Sequence, residues 1–172
     1  MNVTICMVLI LSIVDRFGKR NNMNVVECPA EFTPSLKTVS IFLGGGITNC
    51  PVWQDDMIER LIDVDHLTLV NPRRASFDVT DPTATPFQID WEYRHLHKVD
   101  AIMFWFPCET LCPITLFELA AAATRGDRIF VGCHPDYARR IDVQHQLSLL
   151  RPDVQVWTSL DGVELEIRRW LA

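Results

Sequence analysis

The sequence predicts an α/β fold: a single domain with a five-stranded parallel sheet and helices on both faces, of the flavodoxin/Rossmann-like class. Three observations predict it. Short apolar runs suited to buried strands alternate with longer segments of helical spacing along most of the chain. The run Ala101–Phe106 is apolar throughout, as in a strand covered on both faces. A glycine triplet, Gly44-Gly-Gly46, separates the first clear strand from the first helix, which is the opening half of a βαβ unit.

The elements follow in order. Residues Val3–Val14 are almost wholly apolar and are followed by a polar stretch. This run is shorter than the roughly 20 residues that a membrane span needs. It also lacks the preceding basic residue and the following small-residue cleavage pattern of a signal peptide. Residues 1–22 are therefore expected to be an appendage outside the core, a membrane anchor being the lesser alternative, with residues 23–172 forming the domain. Thr38–Leu43 is the first strand, and Pro51–Asp63 a helix carrying Trp53, Met57, Ile58, Leu61 and Ile62 at helical spacing. Leu67–Val70 is a second strand, and Asn71–Pro86 a loop with Arg73-Arg74. Phe87–Val99 reads as a helix with Phe87, Ile89, Tyr93, Leu96 and Val99 on its apolar side and Trp91 flanking it. Glu92 then lies along the inward face, where a carboxylate requires a partner such as Arg94 or Lys98, or a chemical task. His95 and His97, two apart, do not share a helix face and make no metal pair.

After Ala101–Phe106 come Pro107, a polar loop with Cys108, Glu109 and Cys112, and a helix beginning at Pro113, a favoured first-turn residue. Thr115 and Glu118 have capping-box spacing, which places Glu118 in or near the first turn. A carboxylate next to a helix N-terminus at the C-terminal end of a central strand sits where open α/β sheets place ligands. Arg128–Gly132 and Val154–Trp157 complete the strands; Ala138–Leu150 and Leu160–Leu171 complete the helices.

Composition narrows the function. The formal net charge of −6, without a Lys/Arg run, argues against a nucleic-acid partner. The six cysteines are scattered without a C-x-x-C pair, so free thiols in a reducing cytoplasm are expected, with no metal and no cofactor. The glycine triplet is followed by neither Gly-Lys-Ser/Thr nor a G-x-G-x-x-G pattern, and no serine elbow or H-E-x-x-H is present. Glycine at this turn allows positive φ and close approach of a ligand to the backbone, or serves only a tight turn. Two carboxylates on different helices, Glu92 and Glu118, suit glycosyl chemistry, in which one attacks or stabilises the anomeric carbon and the other assists the leaving group.

On these residues the chain resembles the nucleoside 2-deoxyribosyltransferase-like family, from about Val25 to Leu171. The resemblance rests on Phe42-Leu-Gly-Gly-Gly-Ile-Thr48, Asn71-Pro-Arg-Arg74, Gln88-Ile-Asp-Trp-Glu-Tyr93, Asp100–Pro107, Pro113-Ile-Thr-Leu-Phe-Glu118-Leu and Gly132–Val143. It implies that Glu118 is a nucleophile that holds the sugar of a (2'-deoxy)nucleoside covalently, and that Glu92 contacts the base and helps its protonation. It implies a pocket lined by Gly44, Gly45, Gly46, Ile47 and Thr48. Asn71 and Arg73, in the loop after the second strand, are candidate binding residues by position, and the Arg73-Arg74 pair either meets an anion or is simply solvated. The resemblance also implies a homo-oligomer with shared sites, in which Asp142, or Gln146, reaches a neighbouring copy's sugar hydroxyl. Cys112 stands where studied transferases carry a base-handling aspartate. No aromatic hydroxyl ends the first strand, and Gly44–Cys50 lacks the serine and arginine of monophosphate N-glycosidases. The expected function is cleavage or exchange of the N-glycosidic bond of a small nucleoside, away from membranes. The alternatives are an N-glycosidase for a monophosphate or NAD-like nucleotide, and a non-catalytic module binding nucleotide derivatives.

Overall fold

The computed structural model describes residues 23–74 and 81–172. The appendage expected over residues 1–22 lies outside them, as does the centre of the loop expected over Asn71–Pro86. The described chain divides into two compact units, one of residues through Phe42 with Ile62–Val99, the other of Leu43–Leu61 with Asp100–Ala172.

In the first unit, β1 (Asn24–Glu27) and β2 (Val39–Gly45) flank β3 (Leu67–Asn71), all parallel. The register runs Asn24↔Thr68 to Glu27↔Asn71 on one side of β3 and Val39↔Leu67 to Phe42↔Val70 on the other. Every residue of β3 is buried, as expected of a strand with neighbours on both edges. Helix α2 (Ala84–Leu96) supplies Trp91, wholly buried, whose ring lies 6.2 Å from that of Phe42. The Trp91 indole N–H donates to Ala30 O at 2.9 Å and ties the chain after β1 to this helix. His95 is also wholly buried. Its ring stacks on Trp91 at 3.9 Å, Nδ1–H donates to Trp91 O at 2.6 Å, and Nε2 accepts from the Phe32 N–H at 3.0 Å. One donor and one acceptor partner define a neutral imidazole, and burial pushes its pKa down.

The inward side of α2 is therefore formed by Ala84, Trp91, His95 and Leu96. Phe87, Ile89 and Tyr93, expected to face inward, are exposed. The expected partners of Glu92 are also elsewhere: Arg94 and Lys98 approach Glu31 at 2.9 and 3.7 Å.

The second unit contains the end of β2, α1 (Trp53–Arg60), β4 (Ala101–Phe106), α3 (Pro113–Arg125), β5 (Ile129–Cys133), α4 (Arg140–Leu150), β6 (Val156–Trp157) and α5 (Leu160–Leu171). Strands β4, β5 and β6 are parallel, with Trp105↔Gly132 and Gly132↔Trp157 in register. Side chains alternate between faces along a strand. Phe130 meets Trp170 of α5, and a Cβ on Gly132 would lie 2.5 Å from the Trp105 ring and 2.7 Å from Val163. Trp105, Phe130 and Gly132 thus define the face under α5. Phe106 points the other way and packs on Tyr137, whose hydroxyl donates to Leu111 O at 2.7 Å. Helix α1 packs with α5, and α3 with α4, so this unit carries helices on both faces.

Helix ends are locally determined. Gly126 ends α3 at φ 80°, and the N–H groups of Gly126 and Asp127 donate to Ala123 O and Ala122 O. Ser159 caps α5 by accepting from the Gly162 N–H at 3.2 Å. The expected α/β fold with a parallel sheet is observed, with six strands among the described residues in place of five. The additional strand is β1, four residues long and partly exposed.

Candidate functional site

Glu118 sits on α3, and the sequence positions that helix through Pro113 at its first residue. The N-cap is Cys112, held at φ 46° and ψ 52° with no capping bond from its side chain. Counting from this cap, Thr115 lies inside the first turn and Glu118 in the second. The Thr115–Glu118 capping box is therefore not formed, because the left-handed Cys112 starts the helix three residues before Thr115. Thr115 and Ala122, three before and four after Glu118, are both buried. Glu118, itself half-buried, thus lies beside the inward face of α3.

The glycine turn belongs to the same unit and is filled by protein atoms. A Cβ on Gly44 would lie 3.0 Å from the Phe104 ring, and one on Gly45 2.5 Å from both Trp105 O and the Trp53 ring. One on Gly46 would meet Pro107 at 2.8 Å and both Cys112 Sγ and Thr110 at 3.0 Å. None of the three has positive φ. Of the two roles open from sequence, tight packing of the turn against β4 and the Pro107–Cys112 loop accounts for these glycines. Gly46 O accepts from the Trp53 indole N–H at 2.8 Å and from Gln54 Nε2 at 3.4 Å. Ile47 is half-buried and Thr48 exposed.

Cys112 is buried against Gly46, and burial raises its thiol pKa to about 12, with Cys50, Cys133 and Glu109 adding smaller pushes. It is a neutral group at physiological pH, unlike the aspartate expected at this place. Asp142, in the first turn of α4, is exposed and paired with Arg139 at 3.0 Å. With Gln146 it borders a groove of about 210 Å³ between α3 and α4, floored by Leu119, Ala123, Val143 and Leu147.

Glu92, Asn71 and Arg73 belong to the first unit. Asn71 is buried at the end of β3, and its Oδ1 accepts from the Arg73 N–H at 3.0 Å. Glu92 is half-buried, and Gln88 Nε2 donates to its Oε1 at 2.7 Å. The same nitrogen donates to Pro72 O at 2.9 Å, and Gln88 Oε1 accepts from the Cys28 thiol at 3.2 Å. Arg74 Nε reaches Cys28 Sγ at 3.2 Å, and its guanidinium lies over the Phe87 ring. Burial pushes the Glu92 pKa up, opposed by the Gln88 hydrogen bond and the positive charge of Arg74. A carboxyl so placed retains its proton further toward neutral pH than an exposed glutamate.

Sequence reasoning missed Gln88, Trp53 and Tyr137 as supports of these groups. For Gln88 a signal was present, since it lies one helical turn before Glu92 on the same face. The reach of Trp53 to Gly46 and of Tyr137 to Leu111 had no local signal. Among the described residues no group of histidine, cysteine and carboxylate side chains is arranged to hold a metal ion. No described helix is long and apolar enough to cross a membrane.

A comparison with curated protein sequences gives no match. The family model described as "Nucleoside 2-deoxyribosyltransferase like" matches residues 38–137. That span is more than half of the chain and includes the glycine turn, Glu92, Cys112 and Glu118. The chain belongs to the nucleoside 2-deoxyribosyltransferase-like family.

Proposed function

We propose that the protein cleaves or exchanges the N-glycosidic bond of a (2'-deoxy)nucleoside through a covalent glycosyl–Glu118 intermediate. The Glu118 carboxylate attacks the anomeric carbon as the carbon–nitrogen bond breaks, and the bonding electron pair leaves with the base. Glu92 gives that base its proton. In the second half, water or a new base attacks the anomeric carbon, the bond to Glu118 breaks, and Glu92 recovers the proton. The observation that carries this reading is the setting of Glu92: it is half-buried on α2 with Gln88 donating to one carboxyl oxygen, and burial pushes it toward the acid form that a general acid needs. The half-buried place of Glu118 beside the inward face of α3, within the family match, supports the nucleophile assignment.

Cys112 favours hydrolysis over transfer. A neutral thiol offers an incoming base no carboxylate to orient it, whereas water needs none. We assign Ile47 and Thr48, which follow the packed glycine turn, together with Asn71 and Arg73, to substrate binding. Self-association is proposed through α3, the loop before it and α4, where Leu111, Ile114, Phe117 and Ile141 are exposed, Phe117 by 76% and Ile141 by 80%. Asp142 on that surface is available to a neighbouring copy. The buried free thiols Cys28, Cys112 and Cys133 fit a reducing, cytoplasmic setting.

The test is incubation with a nucleoside and nucleotide panel, read by mass spectrometry for released base, with wild type and Glu118→Gln. Base release from a nucleoside, lost in Glu118→Gln with folding retained, is expected. Free sugar as product means hydrolysis, and a new nucleoside upon adding an acceptor base means transfer. Release only from phosphorylated substrates, lost on replacing Arg73 and Arg74, would move the assignment to a nucleotide N-glycosidase. Thermal stabilisation by these compounds without turnover would make the protein a binding module.

A further inference from the structure

We propose that Gln88 is a positioning residue that decides which oxygen of Glu92 carries the acid proton; this rests on the reading of Glu92 as proton donor. The geometry fixes the amide without ambiguity. Pro72 offers only a carbonyl oxygen, so the Gln88 atom 2.9 Å from it is the NH2 group. The same NH2 lies 2.7 Å from Glu92 Oε1 and donates its second hydrogen there. The opposite end of the amide, Oε1, accepts the Cys28 thiol hydrogen at 3.2 Å, which is consistent with that orientation. Glu92 Oε1 is thereby an acceptor in both protonation states. The acid proton is left to Oε2, and the transferable proton has one address.

The groups around Glu92 allow Gln88 this control. Arg74, from the segment after β3, contributes positive charge, and Cys28, from the segment after β1, contributes a neutral thiol that burial keeps protonated. Glu31 on that segment is engaged by Arg94, and on α2 itself His95 is neutral and bonded to Phe32 and Trp91. Among the described neighbours, the direct hydrogen bond to the Glu92 carboxyl comes from Gln88. A donor to one oxygen stabilises the carboxylate, so it also limits how far burial raises the acid.

The test uses the full chain labelled with carboxyl-13C glutamate, titrated by NMR, with Glu92→Gln identifying the resonance. In Gln88→Met the Glu92 midpoint is expected at higher pH than in wild type. In steady-state assays the alkaline limb of kcat moves the same way, kcat falls on the order of tenfold, and KM stays within about twofold. Cys28→Ser, whose hydroxyl donates as the thiol does, is expected to keep both the midpoint and the limb. Gln88→Asn, too short to reach, serves if Gln88→Met does not fold. An unchanged NMR midpoint overturns the proposal, and so does a fall in kcat without movement of the limb. Failure of the underlying reading of Glu92 is separate: Glu92→Gln would then release base as wild type does, while the Glu92 midpoint still responded to Gln88.

Discussion

Replacing Gly45 by alanine is the sharpest structural perturbation of the glycine turn, and its cost follows from the contacts that its Cβ would make. The new carbon would lie 2.5 Å from Trp105 O and 2.5 Å from Trp53 Cζ2. Ordinary carbon contacts begin near roughly 3.5 Å, so about 1 Å of movement is needed on two sides at once. Neither neighbour yields readily. Trp105 is in the β4–β5 ladder opposite Gly132, and the Trp53 indole is tied to Gly46 O. Overpacking of this kind costs about 1–3 kcal/mol, and a backbone neighbour puts Gly45→Ala near 3 kcal/mol. Gly44→Ala meets only the edge of the Phe104 ring at 3.0 Å, where a tilt of a few tenths of an ångström suffices, for about 1 kcal/mol. Urea unfolding of the full-length variants measures both. With slopes of about 1–3 kcal/mol/M, Gly45→Ala should lower the midpoint by about 1 M or more. Gly45→Ala within about 0.5 kcal/mol of wild type, or less damaging than Gly44→Ala, would refute packing as the reason for these glycines.

Three further outcomes follow from the buried titratable groups. The folded-state pKa of Glu92 is raised, so above the ordinary glutamate value of 4.5 the unfolded chain ionises while the folded carboxyl resists. Stability is then lost as pH rises from 4.5 toward the raised folded pKa, and Glu92→Gln should gain stability relative to wild type over that window in chemical unfolding. The opposite sign holds for His95, whose folded pKa is lowered from 6.5: below 6.5 the unfolded chain takes up a proton that the folded ring refuses. Stability should fall as pH drops through that range, and His95→Gln should flatten the fall. Thiol labelling of the native protein near pH 8, mapped by peptide mass, should reach half-buried Cys108 before Cys112 and Cys133, whose pKa values are pushed up to about 12 and about 11. Prompt native labelling of Cys112 would contradict its placement against Gly46.

The elements that sequence reading located well are those in which local chemistry and burial agree. Ala101–Phe106 is apolar throughout and buried throughout, and Pro113 starts α3. Reading failed where tertiary partners override composition. Strand β1 is four residues of which one is exposed and none fully buried, so hydrophobicity gave it no mark; its place comes from pairing with β3. On α2 a count of apolar residues favoured Phe87, Ile89 and Tyr93. The buried face instead uses His95, whose polarity is satisfied by Phe32 and Trp91, contacts invisible in a linear sequence. The inward placing of Glu92 survived that error, because Gln88, Trp91 and His95 share its side of the helix. The capping box at Thr115 failed for a different reason: the N-cap is Cys112, in a left-handed conformation uncommon for a residue other than glycine, which leaves Thr115 inside the first turn. Glu118 and Glu92 were legible as carboxylates on helices, whereas the Gln88, Cys28 and Pro72 network around Glu92 was not, since it joins three separate segments.

The most direct measurement of the central claim is trapping the sugar on the enzyme. A 2'-fluoro-2'-deoxynucleoside, whose fluorine slows breakdown of a glycosyl ester, is incubated with the full chain, followed by intact-mass and peptide mass spectrometry. The expected result is a gain of one fluorosugar, localised to the peptide containing Glu118 and missing in Glu118→Gln. Release of base by wild type with no adduct under any quench, or an adduct on another residue, would contradict Glu118 as the nucleophile.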